Sequence, residues 1–112
     1  MELRIKKIYN AGDIRSEYLE IFVNSDTNLK NFVILNSFNV KFNKSGKNYF
    51  YWLPDHKVDQ GESVIVNTRN GINDLTSLSF YWNLEKPLWK EAPSSVYLIR
   101  IRDYEKFPDA RR

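Results

Sequence analysis

The 112-residue chain contains no cysteine, which excludes disulfide bonds, thiolate metal sites and a cysteine nucleophile. It has a single histidine, His56, so no metal site can be built from several histidines. No apolar run approaches the roughly 20 residues of a membrane-spanning helix. Residues 1–8 lack the apolar core of a signal peptide. We therefore expect a cytoplasmic protein with no membrane span; the alternative is a domain excised from a longer or exported protein.

The composition is that of a single globular domain. Hydrophobic residues make up 42% of the chain and aromatic residues 15%, which is too apolar for a disordered segment. We assign residues 1–103 to the domain and residues 104–112 to a short C-terminal tail. The net charge of +3 is mild. It permits contact with nucleic acid but does not require it.

Turn signals recur at short intervals along the chain, and the runs between them are rich in β-branched and aromatic residues. This rhythm predicts an all-β antiparallel sandwich of about 7–9 strands. Side-chain alternation places the predicted strands at residues 3–9, 18–24, 32–36, 38–42, 49–53, 63–68, 78–82 and 96–102. The rings in residues 49–52 and 80–82 break this alternation, because both faces of a strand carry aromatic side chains there.

A series of short motifs follows in order through residues 3–103. They are LRIKKIYNAGD at 3–13, EYLEI at 17–21, NSDTNLKNFVI at 24–34, YWLPD at 51–55, VDQGESVIV at 58–66, FYW at 80–82 and LW at 88–89. Their order and spacing resemble the lamin-tail domain, in particular its bacterial versions. The turn at 91–95 and the segment 103–106 depart from the family pattern, so contacts made there by relatives are not carried over.

The resemblance implies an immunoglobulin-like β-sandwich and a non-catalytic module. In eukaryotic lamins such a domain is a platform for partners, with proposed DNA and chromatin contacts. Bacterial and archaeal relatives often accompany nucleases or exported hydrolases. Because fold does not determine function, the site has to be argued from residues.

The sequence carries no recognisable catalytic, metal or cofactor motif, so we predict no enzyme activity and no cofactor. His56 lies in a charged loop without a nucleophile elbow or phosphate-binding loop around it. Asp55 and Asp59 lack the oxygen density of a calcium loop, and turn chemistry is the favoured role. Glu17 and Glu20 lie on opposite faces of one strand and cannot act as a pair. Glu20 is expected to pair with a lysine or arginine on a neighbouring strand.

Two basic surfaces are candidates for binding. If the first and last strands lie side by side, their outer faces combine into a stripe of four cations, Arg4, Lys6, Arg100 and Arg102. The second candidate surface is the hairpin carrying Lys41, Lys44 and Lys47. The alternative, which we favour, is that these residues solvate the strands and protect sheet edges.

An aromatic surface is the remaining candidate. The rings that would form a partly exposed plateau are Tyr49, Tyr51, Tyr81, Trp82 and Trp89. Such rings stack bases, bind sugars or anchor protein interfaces. The favoured alternative is that they fill the core, because tryptophan and tyrosine are highly buried on average.

The function predicted from the sequence is that of a binding or scaffolding module docking on another macromolecule, with protein as the favoured partner. The alternative is an accessory nucleic-acid-binding domain that uses the basic outer face, and a hydrolase ranks last. We expect a monomer or a weak dimer. Pairing of strand edges at 3–9 or 38–42 is a less favoured route to dimerisation, because lysines guard both edges.

Overall fold

The computed structural model describes residues 1–38, 48–89 and 94–107, and their regular secondary structure is almost entirely β-strand. The strands are β1 (Leu3–Tyr9), β2 (Tyr18–Val23), β3 (Thr27–Asn28), β4 (Phe32–Phe38), β5 (Asn48–Trp52), β6 (Lys57–Val58), β7 (Ser63–Asn67), β8 (Ser79–Tyr81) and β9 (Ser94–Arg100). A single 3₁₀ turn, Leu29–Asn31, connects β3 to β4. The all-β prediction is confirmed.

Two sheets form the body of the described structure. The larger has the strand order β1-β2-β7-β8 and the smaller has the order β5-β4-β9, while β3 and β6 pair with each other. The described pairings are antiparallel, apart from a parallel pair between β7 and β8. The immunoglobulin-like pattern of connections stays a prediction.

The two sheets face each other across one apolar core. The larger sheet contributes fully buried side chains such as Ile21 and Val64, and the smaller sheet contributes Phe32 and Ile34. Each large apolar side chain buried in this way stabilises the fold by about 1.5–3 kcal/mol. This arrangement agrees with the predicted β-sandwich.

Most strands agree with the sequence prediction to within two residues at either end. β1 has the predicted bounds, whereas β9 begins and ends two residues earlier than predicted. The prediction missed β3 and β6, because a strand of two residues has too little alternation to be recognised. Of the predicted strand 38–42, Phe38 ends β4 and the other residues lie outside the described part of the chain.

The short ribbon of β3 and β6 is held by Asn28, which caps the 3₁₀ turn. Its Oδ1 accepts hydrogen bonds from the backbone amides of Lys30 (2.9 Å) and His56 (3.0 Å), and its Nδ2 donates to Asp55 Oδ1 (2.8 Å). The bond to Lys30, two residues on, is a side-chain turn of the kind that asparagine commonly forms. The loop that carries His56 is thereby fixed to the start of β4.

Candidate docking surface

The outer face of the smaller sheet is covered by apolar side chains, although the core lies on its other side. Residues 32, 34 and 36 of β4 point inward, so residues 33 and 35 point outward. Strand register aligns Val33 with Trp52 on one side and Ile99 on the other. These three residues form one row across the sheet.

A second row lies two residues further along β4. Leu35 is opposite Phe50 on β5 and opposite Tyr97 on β9. The six uncharged side chains of the two rows, which we call the apolar face, are Val33, Leu35, Phe50, Trp52, Tyr97 and Ile99.

The apolar face is open to solvent. Phe50 is 62% exposed, Tyr97 52% and Trp52 51%. Large apolar side chains normally lose most of their exposure on folding, and a contiguous group of this kind marks an interaction surface. Val33 and Leu35, on the central strand, are partly exposed between the larger edge residues.

Two contacts fix Trp52 at one end of the apolar face. Its indole Nε1 donates a hydrogen bond to the carbonyl oxygen of Lys30 at 2.7 Å. The ring of Tyr104, from the segment after β9, meets the Trp52 ring edge-on at 5.4 Å between centroids. Tyr104 itself is 68% exposed, so it borders the face without covering it. The indole is therefore oriented before any partner arrives.

The aromatic plateau predicted from the sequence is not formed, because most of its rings pack into the core. Trp82 is buried, and Tyr49, Tyr51 and Trp89 are partly buried against the core cluster. Tyr51 contacts Trp82 at 5.5 Å, and burial raises the pKa of its hydroxyl. For these four rings the favoured alternative, in which they fill the core, is the one that the structure shows.

The fifth predicted ring, Tyr81, is half-buried beside a basic residue. The guanidinium of Arg69 lies 5.3 Å from the centroid of the Tyr81 ring. Gly71 packs so closely against the same ring that a Cβ atom there would have no room. Tyr81 thus packs against the loop between β7 and β8 and does not form part of an open binding plateau.

The prediction that four cations form a stripe on one sheet face is wrong. β1 and β9 belong to different sheets and, in the described structure, each is hydrogen-bonded to another strand. Lys6 pairs with Glu20 at 3.7 Å, and Arg100 pairs with Glu2 at 2.9 Å. Arg4 and Arg102 are exposed. Lys41, Lys44 and Lys47, the second candidate surface, lie outside the described residues.

Arg100 also differs from its predicted orientation. Along β9, Leu98 points toward the core, while Tyr97 and Ile99 point outward. Because side chains alternate, the Arg100 side chain lies on the core side of the sheet, at the end of the strand. Its Nε and Nη2 donate to the two carboxylate oxygens of Glu2 at 2.9 and 3.3 Å. This hydrogen-bonded guanidinium holds the pKa of Glu2 below its usual value. The pair connects the last strand to the beginning of β1.

Glu20 pairs across the strands as predicted. Tyr9 Oη donates to Glu20 Oε1 at 2.8 Å, and Lys6 lies on the other oxygen. The hydrogen bond from Tyr9, with the Lys6 charge as a smaller cause, lowers the pKa of Glu20. The same hydrogen bond raises the pKa of Tyr9. Glu20 is therefore an anchoring acceptor rather than a free acid or base.

Glu17 forms a buried polar hub that the sequence analysis did not recognise. The carboxylate is fully buried. Its Oε1 accepts from the amides of Gly12 (2.8 Å) and Trp89 (3.3 Å), and its Oε2 accepts from Thr68 Oγ1 (2.6 Å) and the amide of Leu88 (2.8 Å). With both oxygens engaged and no exposure, Glu17 holds three loops together.

A shallow open depression lies between Ile14 and Leu84. Arg69, which lines it, donates to the carbonyl oxygen of Arg15 at 3.3 Å as well as lying over Tyr81. Within residues 1–38, 48–89 and 94–107, no group of three or more His, Asp or Glu side chains is placed to hold a metal ion. None of the described helices is long and apolar enough to cross a membrane.

Comparisons with known proteins add no identification: no protein-family model matches this chain, and a search of curated proteins finds no match. The candidate function therefore depends on the geometry described above. The feature of that geometry that points to binding is the apolar face, a contiguous group of exposed apolar side chains.

Proposed function

We propose that this chain is a non-catalytic module that docks on another protein chain through the apolar face. The observation that carries the proposal is the size of the open ring surface. Its three aromatic side chains are each more than half exposed. Since a whole ring side chain has an area of about 150–250 Å², the three together expose roughly 350 Å² to solvent. With its aliphatic members the face reaches about 500 Å², which is at the upper end for a soluble monomer.

The residue types also favour a protein partner. Tryptophan, tyrosine and phenylalanine are enriched at the centres of protein interfaces, where they lose little conformational freedom on binding. The apolar face has no charged member, so a partner need not bring a matching charge. The resemblance to lamin-tail domains, which stays a prediction, points to the same class of function.

A nucleic-acid partner is the alternative, and the pairing of basic residues argues against it. Lys6 and Arg100 each face a carboxylate, so two of the four predicted phosphate contacts are neutralised within the chain. Binding to random-sequence DNA with an affinity that falls steeply between about 50 and 200 mM salt supports this alternative. The docking proposal predicts no such binding.

The docking proposal is tested by immobilising the full chain and measuring the proteins it retains from a nuclease-treated extract of its source cells. The test variant is Phe50→Thr with Tyr97→Thr, because threonine keeps a high strand propensity. The control is Ile72→Thr, at a residue 90% exposed in the loop between β7 and β8.

We expect the wild type and the control to retain the same proteins, and the double variant to lose them. Because the face is uncharged, retention is expected to persist from about 0.1 to about 0.5 M salt. Equal retention by the double variant, or loss of retention with salt alone, contradicts docking through the apolar face.

A further inference from the structure

We propose that the occupant of the apolar face is a second copy of this chain, bound through the same face around a two-fold axis. This inference depends on the proposed function, since it names the partner of that docking surface. In such an isologous contact each copy contributes the same patch, so the patch has to be complementary to itself in charge and in shape.

Charge allows self-association at this surface. The chain carries a net charge of +3, so two copies repel each other weakly overall. None of the six side chains of the apolar face is charged, and no like charges are brought together at its centre.

Shape also favours a second copy. The larger side chains stand on the edge strands, with Trp52 and Phe50 on β5 and Tyr97 on β9. The smaller Val33 and Leu35 lie between them on β4, which leaves a groove flanked by two ridges. If two such faces are displaced by one strand, about 4.8 Å, the β5 ridge of each copy enters the β4 groove of the other.

Two sheets of this kind pack face to face about 10 Å apart, with apolar side chains interdigitating between them. The core of this protein already uses that packing on the opposite side of the same sheet. A dimer therefore extends an arrangement of layers that the fold contains, without requiring any backbone change.

The available area sets the expected strength. A face of about 500 Å² per copy is smaller than the roughly 800 Å² per partner of a standard stable interface. We therefore expect a concentration-dependent dimer with a dissociation constant in the micromolar range or weaker. Most of the chain is then monomeric in dilute solution and dimeric near millimolar concentration.

The test is sedimentation equilibrium of the purified full chain from about 10 to 1,000 µM, combined with acrylamide quenching of tryptophan fluorescence. Trp52 is half exposed, whereas Trp82 is buried and Trp89 partly buried, so quenching reports mainly on the apolar face. We expect dimer formation and protection of Trp52 to rise together with concentration.

The variants separate this contact from other kinds of association. Phe50→Thr and Tyr97→Thr are each expected to weaken the dimer by about tenfold or more, as for central interface rings, while Ile72→Thr leaves it unchanged. Circular dichroism establishes that each variant remains folded. A dimer that survives both face variants overturns the inference, because association then uses a strand edge or another surface.

Two further outcomes also overturn the inference. A chain that stays monomeric at every concentration with Trp52 open to quencher excludes a second copy. Face-dependent retention of a different protein from the extract then leaves the proposed function standing with another occupant. A monomer whose Trp52 is shielded at all concentrations means that the chain's own C-terminal segment, which already places Tyr104 against Trp52, covers the face.

Discussion

Replacing Glu17 by alanine removes a buried carboxylate that joins three separate segments. The donors are the Gly12 amide in the turn between β1 and β2, the Thr68 hydroxyl after β7, and the Leu88 and Trp89 amides after β8. Three of these hydrogen bonds are 2.6–2.8 Å long. Each buried donor left without an acceptor costs about 1–3 kcal/mol.

We therefore expect Glu17→Ala to lower the free energy of unfolding by about 3–5 kcal/mol, after partial compensation by entering water. Domains of this size have a total stability of about 5–15 kcal/mol. The substitution is expected to lower the melting temperature by roughly 15–25 °C. Glu17→Gln keeps one acceptor oxygen, so it should lose less stability than Glu17→Ala. It should still destabilise the fold, because the NH₂ group of glutamine is a donor and faces backbone amides that are donors too.

Urea unfolding followed by tryptophan fluorescence and circular dichroism measures the difference directly. Glu85→Ala is the matched control, because Glu85 is exposed and lies in the same region after β8. Its stability should stay within about 0.5 kcal/mol of wild type. If Glu17→Ala costs less than about 1 kcal/mol, or no more than the control, the carboxylate is not the organising acceptor and the reasoning is wrong. If the alanine variant does not fold, the comparison of Glu17→Gln with the control decides.

Two other predictions concern side-chain pairs. The pKa of Glu20 is lowered in the folded chain mainly by the Tyr9 hydroxyl, so its stabilising contribution is complete above the unfolded pKa and is lost as pH falls through the folded one. Tyr9→Phe should shift the Glu20 titration, followed by NMR of its carboxyl carbon, upward toward the ordinary value; identical titrations in both proteins contradict this. Gly71→Ala should destabilise the fold by about 1–3 kcal/mol through collision with the Tyr81 ring. The cost should largely disappear in a Tyr81→Ala background, and an unchanged cost in the double-mutant cycle refutes the collision.

Strands with one apolar face were predictable from the sequence. In β2, Leu19, Ile21 and Val23 alternate with side chains that are partly exposed, and all three are buried. Only one orientation of such a strand buries its apolar row, so alternation determines both the strand and its inner face. The same argument predicted that Glu20 pairs with a lysine or arginine on a neighbouring strand, and the structure shows that this residue is Lys6.

Strands with apolar side chains on both faces could not be oriented from the sequence. In β5 the run from Tyr49 to Trp52 consists entirely of rings, so a shift of one residue exchanges two apolar sets. The sequence analysis offered Tyr49 and Tyr51 as exposed candidates, whereas the structure turns Phe50 and Trp52 outward. Only the packing of the two sheets decides between these sets.

The hub at Glu17 was not predictable for a different reason. Its donors lie up to 72 residues from Glu17 along the chain, and three of the four are backbone amides. Every residue except proline has the same backbone amide, so no sequence motif indicates that a particular amide donates to a carboxylate. Such a site is recognised only once the three loops have been brought together.

Charge along the sequence overstated the predicted cation stripe, because folding neutralises two of its four members in pairs. Lys6 and Arg100 are each matched with a carboxylate that is distant in the chain. On the apolar face, in contrast, each of the three rings remains at least half open to water, although Trp52 also contacts Lys30 and Tyr104. A free-energy gain therefore remains on that face for a partner to realise, whereas much of the electrostatic gain at the predicted stripe is already realised within the monomer. Binding by this chain should accordingly depend on ring substitutions far more than on salt.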